Sequence, residues 1–387
     1  MAGKPMKRFE GCWLGDSPHI VVLGSRKLGN FIATLPLLQG LRKKYPNCIL
    51  DFWGSEVTKD FEVALMSKNT RQEILLNWRI SWDGGIDIDD LAKYRKERGK
   101  PELLINCDGF NSVTAVLASL ISPNWVCGNT MKKSLKGEME TGEHIYHRFL
   151  DDKEWDSRDF LSKYKNHFNT QYIGELFCRM AFIDPTEKDL KTIELPTKPP
   201  NFVVPEILIH CTSTRSAKLW KIEYWLELLS WCEKENLQVG LIGASEKTQQ
   251  DEYNSGNCEE ELIKQYGSKG KNTLIDLRGK TSLIELAGAC QLTKAVVTVD
   301  AGPLHVAAAV KTPVMAIVGN DRDGVGASPI RLWLPRAENV FRTESSEHCA
   351  LCMDNRYKNS DCLIEKHSCM EGVSSEQVIK WLKKTLI

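Results

Sequence analysis

His19–Leu38 reads HIVVLGSRKLGNFIATLPLL. An apolar run, HIVVLG, is followed by a polar turn with glycine and then by an amphipathic run that continues through QGLRKKYP to Pro46. That order predicts a buried strand, a tight loop, and a helix over Phe31 to Tyr45. In open α/β sheets, ligands bind where such strands end. Gly29 and Asn30 stand in the loop of this unit.

The same alternation extends outward. CILDFWG and ELLINCDG read as further strands, NSVTAVLASLI as a helix, and YIGELFCRMAFI as the helix closing the first half. Residues 128–172 are polar with weak periodicity and are expected to form loops and a surface helix. The stretch from Asp184 to Glu206 holds five prolines and many charges, the composition of a connector. The alternation then restarts with ILIHCTS, KIEYWLELLSWCEKEN, LQVGLIGA, a helix opened by SEKTQQDEY, NTLIDLRG, SLIELAGACQLT, KAVVTVD, GPLHVAAAV and PVMAIVG. SSEQVIKWLKKTLI closes the chain as an amphipathic helix behind a Ser/Glu capping pattern. Repeated βαβ units imply parallel sheets with right-handed crossovers. The expected fold class is α/β with two Rossmann-like, doubly wound parallel-sheet domains facing a cleft. The first spans 1–185, a linker 186–205, the second 206–370, and the terminal helix 371–387.

Bulk properties narrow the function. A chain of 387 residues is too long for one ordinary core. It has 51 basic and 51 acidic residues, which argues against nucleic acid as a partner. No apolar run approaches the roughly 18 residues of a membrane span, and no signal-peptide core is visible. The expected location is the cytoplasm, with the inner-membrane surface open as a peripheral site. Thirteen cysteines in such a compartment are expected to be reduced and mostly buried. A dinucleotide-binding dehydrogenase is disfavoured, because no G-x-G-x-x-G follows the first strand.

Three strand ends in the second half carry chemistry. In VVTVDAGPLHVAAAV, Asp300 ends a strand, Ala301 and Gly302 allow close backbone approach, and Pro303 suits a first helical turn. Such a helix N-terminus receives phosphate. Asp300 either caps that helix or holds a ligand group; His305, one turn in, is either structural or at the anion. In HCTSTRSAKLW, Ser213, Thr214, Arg215 and Lys218 supply the hydroxyls and cations that suit a diphosphate. In LIGASEKTQ, Glu246 either accepts from ribose hydroxyls or sits in a helix first turn.

These pieces together resemble the glycosyltransferase family 9 heptosyltransferases. LGNFIATLPLLQGLRKKYP, HCTSTRSAKLW and VDAGPLHVAAAVKTPVMAIVG carry the resemblance, while much of 60–200 matches only in outline. The resemblance implies a GT-B fold and inverting transfer of a heptose or related sugar from ADP-heptose to an acceptor hydroxyl on a lipopolysaccharide core sugar, a protein or a small molecule. It implies that Ser213, Thr214 and Lys218 contact the donor diphosphate and that Glu246 lies near the ribose. Asp300, Ala301 and Gly302 would line the donor phosphate and sugar, with His305 close by. Gly29 and Asn30 would face the acceptor. No catalytic metal is implied, since fixed cations and helix amides would stabilise the leaving diphosphate.

The family commonly has Asp where this chain has Asn30, and that Asp is its general base. An amide accepts no proton at neutral pH. The base has moved, the acceptor needs none, or the activity is weak or lost. Asp108 in INCDGFNS is the best substitute, at a strand end before a glycine; it is otherwise the N-cap of the next helix. Asp16 precedes the first strand and falls at the wrong sheet edge. A sugar-nucleotide epimerase and a catalytically silent nucleotide-sugar binder are the rival readings.

Cys349-x2-Cys352-x9-Cys362-x6-Cys369 places four thiols in a loop rich in Asn, Asp and His. They either hold a structural Zn or Fe, with His348 or His367 able to replace one ligand, or remain free. Some relatives within the resembled family carry such a tail, with iron in protein-modifying members. Trp53, Trp78, Trp82, Trp125 and Trp155 fall in the acceptor-side half, where aromatic faces stack on sugars or simply pack.

Overall fold

The computed structural model describes residues 6–67, 74–83, 87–109, 111–132, 134–149, 154–245, 258–267, 273–321 and 326–386. The chain divides into two compact units, Met1–Ile193 and Glu194–Ile387. The division falls within the proline-rich stretch read as a connector, which also carries a short helix, Glu187–Lys191, closed by a Thr186/Asp189 capping box.

The first unit is built on six parallel strands: β1 (Lys7–Arg8), β2 (His19–Leu23), β3 (Ile49–Gly54), β4 (Trp78–Ser81), β5 (Leu103–Asn106) and β6 (Trp125–Cys127). They lie in the order β1-β6-β5-β2-β3-β4. β2 is buried along its length, as a strand covered by helices on both faces must be. Helix α1 (Leu28–Lys44) follows it and buries Phe31, Ile32, Leu35, Leu38 and Leu41. The helix begins three residues before the expected Phe31, so Gly29 and Asn30 are in its first turn rather than in the loop. The glycine of the turn proper is Gly24: a Cβ there would lie 2.3 Å from the Phe52 ring.

Several elements of this unit were not read from the sequence, among them β1, β6 and a short helix over Lys59–Ala64. β4 carries a charge, Arg79, and is only half-buried; helix α2 (Ile88–Arg98) is mostly charged and is tied down by Tyr94. In 128–172 the described residues form loops with two one-turn helices, Ile145–Arg148 and Phe160–Lys163.

The second unit repeats the plan with β7 (Ile207–His210), β8 (Val239–Leu241), β9 (Leu274–Asp276), β10 (Ala295–Val299), β11 (Val314–Ile317) and β12 (Val340–Arg342). These parallel strands lie in the order β12-β11-β10-β7-β8-β9. The helix expected to open at Ser245 falls largely outside the described residues; a helix over Cys258–Tyr266 is described further on. The terminal helix, Ser375–Thr385, shares one core with the rest of the unit: Val378, Trp381 and Leu382 pack with Trp225, Leu228 and Leu229. Its expected capping pattern does not form, since Ser374 makes no side-chain cap. Ser375 Oγ instead donates to the Glu227 carboxylate, fastening the helix to the one over Ile222–Lys234.

Candidate functional sites in the two units

In the second sheet, β7, β8 and β9 progress one way and β10, β11 and β12 the other. The direction reverses between β7 and β10, where Thr298 pairs with His210. The crevice of a doubly wound sheet opens at such a reversal. The two loops that leave the C-terminal ends here are the HCTSTR loop and Asp300-Ala301.

Lys218 Nζ donates to Asp300 Oδ2 at 2.7 Å, so these two predicted residues meet. Both side chains are largely out of solvent. Burial alone would raise the Asp300 pKa, but Lys218, His305 and the Ser328 hydroxyl hold it below the usual carboxylate value. It is a fixed anion that orients a cation. Helix α3 (Gly302–Ala309) starts immediately after it, with Ala301 as N-cap and no side chain capping its amides. Asp300 therefore faces Lys218 rather than acting as a plain cap. His305 is buried, and burial lowers its pKa to about 4, against the pull of Asp300; it is neutral at pH 7. Its Nδ1 and that of His210 are buried without a hydrogen-bond partner. Ser213 is buried and Thr214 exposed on the same loop. The site thus offers one cation, hydroxyls and an uncapped helix start, which is anion-binding chemistry. Glu246 lies outside the described residues.

The first sheet reverses between β2 and β5, where Leu23 pairs with Asn106. The 24–27 loop and the 107–111 loop open at that point. α1 has Lys27 as N-cap, without a side-chain cap and with no acidic residue in its first turn. Asn30 Nδ2 donates to Ser25 Oγ at 3.1 Å, closing the loop onto the helix. Trp82 Nε1 holds the same loop through the Gly24 carbonyl at 3.0 Å. Trp82 and Trp53 are thus core residues.

Asp108 does not cap the helix after it. The cap of Ser112–Ile121 is Asn111, whose side chain accepts from Val113 N–H at 2.9 Å. Asn111 Nδ2 also donates to Asp108 Oδ2 at 3.2 Å. Burial raises the Asp108 pKa; Asn111 and Lys27 oppose this and leave it above the ordinary aspartate value. A half-buried carboxylate with raised proton affinity at the reversal point is chemically able to serve as a general base. Asn106 positions it, accepting from Asp108 N–H at 3.0 Å while donating to the Asn129 carbonyl at 2.8 Å. Lys27, Asn106 and Asn111 were not predicted; two asparagines bracketing an aspartate at a strand end are the signal that marks them. Asp16 is exposed at the opposite end of β2.

The four clustered cysteines are neighbours and free. Burial pushes the Cys369 thiol up to about 12, and Cys349, Cys352 and Cys362 beside it add to the push. Asn359 Nδ2 donates to Cys352 Sγ at 3.2 Å. As the side chains stand, no three His, Cys, Asp or Glu among the described residues are gathered closely enough to hold a metal ion. His367 is turned away to the Ala217 carbonyl, at 2.8 Å. Outside the cluster every cysteine but Cys12 is buried, and none among the described residues is in a disulfide.

A family model described as glycosyltransferase family 9 (heptosyltransferase) matches residues 184–358. Solved structures share the fold along nearly the whole chain. A glycosyl transferase family 9 protein from Veillonella parvula DSM 2008 is 17% identical, with a TM-score of 0.66 over 96% of this chain and 97% of that one. The ADP-heptose LPS heptosyltransferase II of E. coli is 16% identical, with a TM-score of 0.61 over 95% and 98%. TibC from enterotoxigenic E. coli H10407, described as an iron-containing dodecameric glycosyltransferase, is 16% identical, with a TM-score of 0.56 over 97% and 78%. No curated protein matches by sequence.

Proposed function

We propose that this chain, whose residues 184–358 match the glycosyltransferase family 9 model, transfers a heptose or related sugar, with inversion, from a nucleoside-diphosphate donor of the ADP-heptose type to an acceptor hydroxyl. The observation that carries the reading is the Lys218–Asp300 pair beside the uncapped start of α3, at the reversal of the second sheet.

Each residue then has a role. Asp300 holds Lys218 so that its remaining ammonium hydrogens meet the diphosphate. Ser213 and Thr214 hydroxyls and the first-turn amides of α3 take further phosphate oxygens, where Ala301 and Gly302 keep side chains out of the way. Neutral His305 offers a polar atom to the donor, and Glu246 accepts from the ribose. The acceptor oxygen forms a bond to the anomeric carbon as the bond to the β-phosphate oxygen breaks. Asp108 takes the acceptor proton, and the leaving diphosphate's charge falls on Lys218 and the helix amides. Gly29 and Asn30 line the acceptor side, with Asn30 a hydrogen-bonding group only. A lipopolysaccharide sugar, a protein hydroxyl and a small molecule are the acceptor classes. No helix among the described residues is long and apolar enough to cross a membrane; we place the reaction in the cytoplasm, at the membrane surface where the acceptor is lipid-linked.

The cysteine cluster is proposed to hold a structural Zn or Fe, on the strength of four neighbouring thiols and the N–H donor to Cys352. Thiolates filling all four positions leave such an ion no open site for catalysis. Elemental analysis of purified protein is expected to find about one metal per chain; stably folded, metal-free protein refutes it.

Asn30 favours one second reading, a silent nucleotide-sugar binder. Mass spectrometry of products from a panel of ADP-, GDP- and UDP-sugars, with water and candidate acceptors, separates the two. Transfer from an ADP-sugar supports the enzyme; ADP binding without turnover supports the binder. Lys218→Ala is expected to weaken ADP binding by about 10-fold or more, the cost of a lost charge-assisted hydrogen bond. Unchanged affinity places the donor elsewhere.

A further inference from the structure

The HCTSTR loop is fastened by a segment some 140 positions later. Arg215 Nε donates to the Asn359 carbonyl at 2.7 Å and Nη1 to the Ala327 carbonyl at 3.0 Å. The guanidinium also lies over the Tyr357 ring, 5.8 Å from its centre. Ala217 N–H donates to the Ser360 carbonyl at 3.0 Å. Ser216 Oγ reaches the same carbonyl at 3.2 Å and also donates to the Asp361 carboxylate. His367 Nε2 donates back to the Ala217 carbonyl. Trp220 Nε1 and Tyr224 OH continue the line, to the carbonyls of Val373 at 2.7 Å and Glu371 at 2.9 Å. Within the loop itself, Lys218 N–H donates to the Arg215 carbonyl at 3.0 Å, Thr212 Oγ1 lies 3.2 Å from His210 Nε2, and Arg215 N–H reaches Ser213 Oγ at 3.4 Å.

The cysteine-rich segment is therefore a strap laid along the loop that carries Ser213, Thr214 and Lys218. Its far side is tied to the thiols, since Asn359 Nδ2 donates both to the Asp361 carbonyl at 2.6 Å and to Cys352 Sγ. A diphosphate is held well only where its donors are already fixed, because a loop ordered at the moment of binding loses affinity to entropy. We propose that Arg215 is a positioning residue for donor binding: it anchors the diphosphate loop to the 357–367 strap, so that ADP affinity depends on residues of the strap that touch no nucleotide. This rests on the donor-site reading above. Arg215 suits the task because its planar fork serves two carbonyls and one aromatic face at once, which lysine cannot reproduce.

The test is calorimetric titration of ADP into full-length protein, with the ligand-free thermal midpoint measured alongside. Arg215→Met is expected to weaken ADP about 10-fold and Arg215→Lys about 3-fold. Asp361→Ala, on the strap side, is expected to weaken ADP about 3-fold with a midpoint close to wild type. If Arg215→Met fails to fold, Asp361→Ala decides the matter. ADP affinity unchanged in Asp361→Ala overturns the proposal, because any loss in Arg215→Met would then report direct contact with the ligand. Wild-type protein that binds no ADP removes the donor reading itself, a different failure from wild-type binding that the strap variants leave intact.

Discussion

At the scale of single residues, the account turns on Asp108 and Asn30. Asn30 helps fix its loop to the helix start through one hydrogen bond, from Nδ2 to Ser25 Oγ. Asp108 has the properties that Asn30 lacks, an ionisable group with proton affinity raised by burial. The sequence could not decide between base and N-cap, because Asp108 and Asn111 are both good caps and either could start the helix. The side chains remove the cap reading: Asn111 caps the helix and also donates to Asp108. A base must be deprotonated to act, so activity is lost as pH falls through its raised pKa. The acid limb of kcat/KM is expected above the ordinary aspartate value of 3.8. Asn111→Ser keeps a competent cap but removes the amide that stabilises the carboxylate, so it should move that limb to higher pH. A limb that stays put in this variant places the ionising group elsewhere.

Elements were read more securely than their edges. The buried strands other than β6 were legible as short apolar runs, most of them ending at glycine or aspartate, and both sheets are parallel. β4 and the helix over Ile88–Arg98 were not legible, since a charged half-buried strand and a nearly all-polar helix take their places from partners such as Tyr94 rather than from periodicity. The start of α1 was misplaced because Asn30, a good N-cap residue, stands directly before Phe31, whereas the helix begins at Leu28 behind Lys27 without a side-chain cap. The terminal helix was visible from its amphipathic pattern, but not its fastening through Ser375. Leu382 is fully buried on its inner face. Leu382→Ala is expected to destabilise the protein by about 2–5 kcal/mol in urea unfolding, as for buried leucines generally. A change below about 1 kcal/mol means this helix is not part of the core.

For the whole molecule, the resemblance to family 9 glycosyltransferases holds, carried by the second half and by a shared fold along the chain. The residues proposed for the donor stand out in the sequence as a compact local pattern of hydroxyls, cations and small residues at a helix start, and two of them, Lys218 and Asp300, meet in the structure. The strap contacts were not, because they join positions some 140 residues apart. The same unit carries an acid sensitivity. His210 and His305 are buried with pKa values near 4 against an ordinary 6.5. Between these values the unfolded chain binds protons that the native chain does not, so stability is full above 6.5 and falls as pH is lowered toward 4. The two together should account for a loss of about 4 kcal/mol between pH 7 and pH 5 in urea unfolding. His210→Gln should flatten that slope by about half; a slope that does not change contradicts the assignment.

The most direct measurement of the central claim pairs turnover with binding in one variant. Wild-type protein and Asp108→Asn are incubated with ADP-heptose and an acceptor, and product and released ADP are followed by mass spectrometry. Affinity for ADP is measured separately by calorimetry. The expected result is sugar transfer by wild type, transfer lowered by about 100-fold or more in Asp108→Asn, and ADP affinity equal in both. Transfer by Asp108→Asn at close to the wild-type rate, or a wild-type protein that binds ADP and transfers no sugar, contradicts the account.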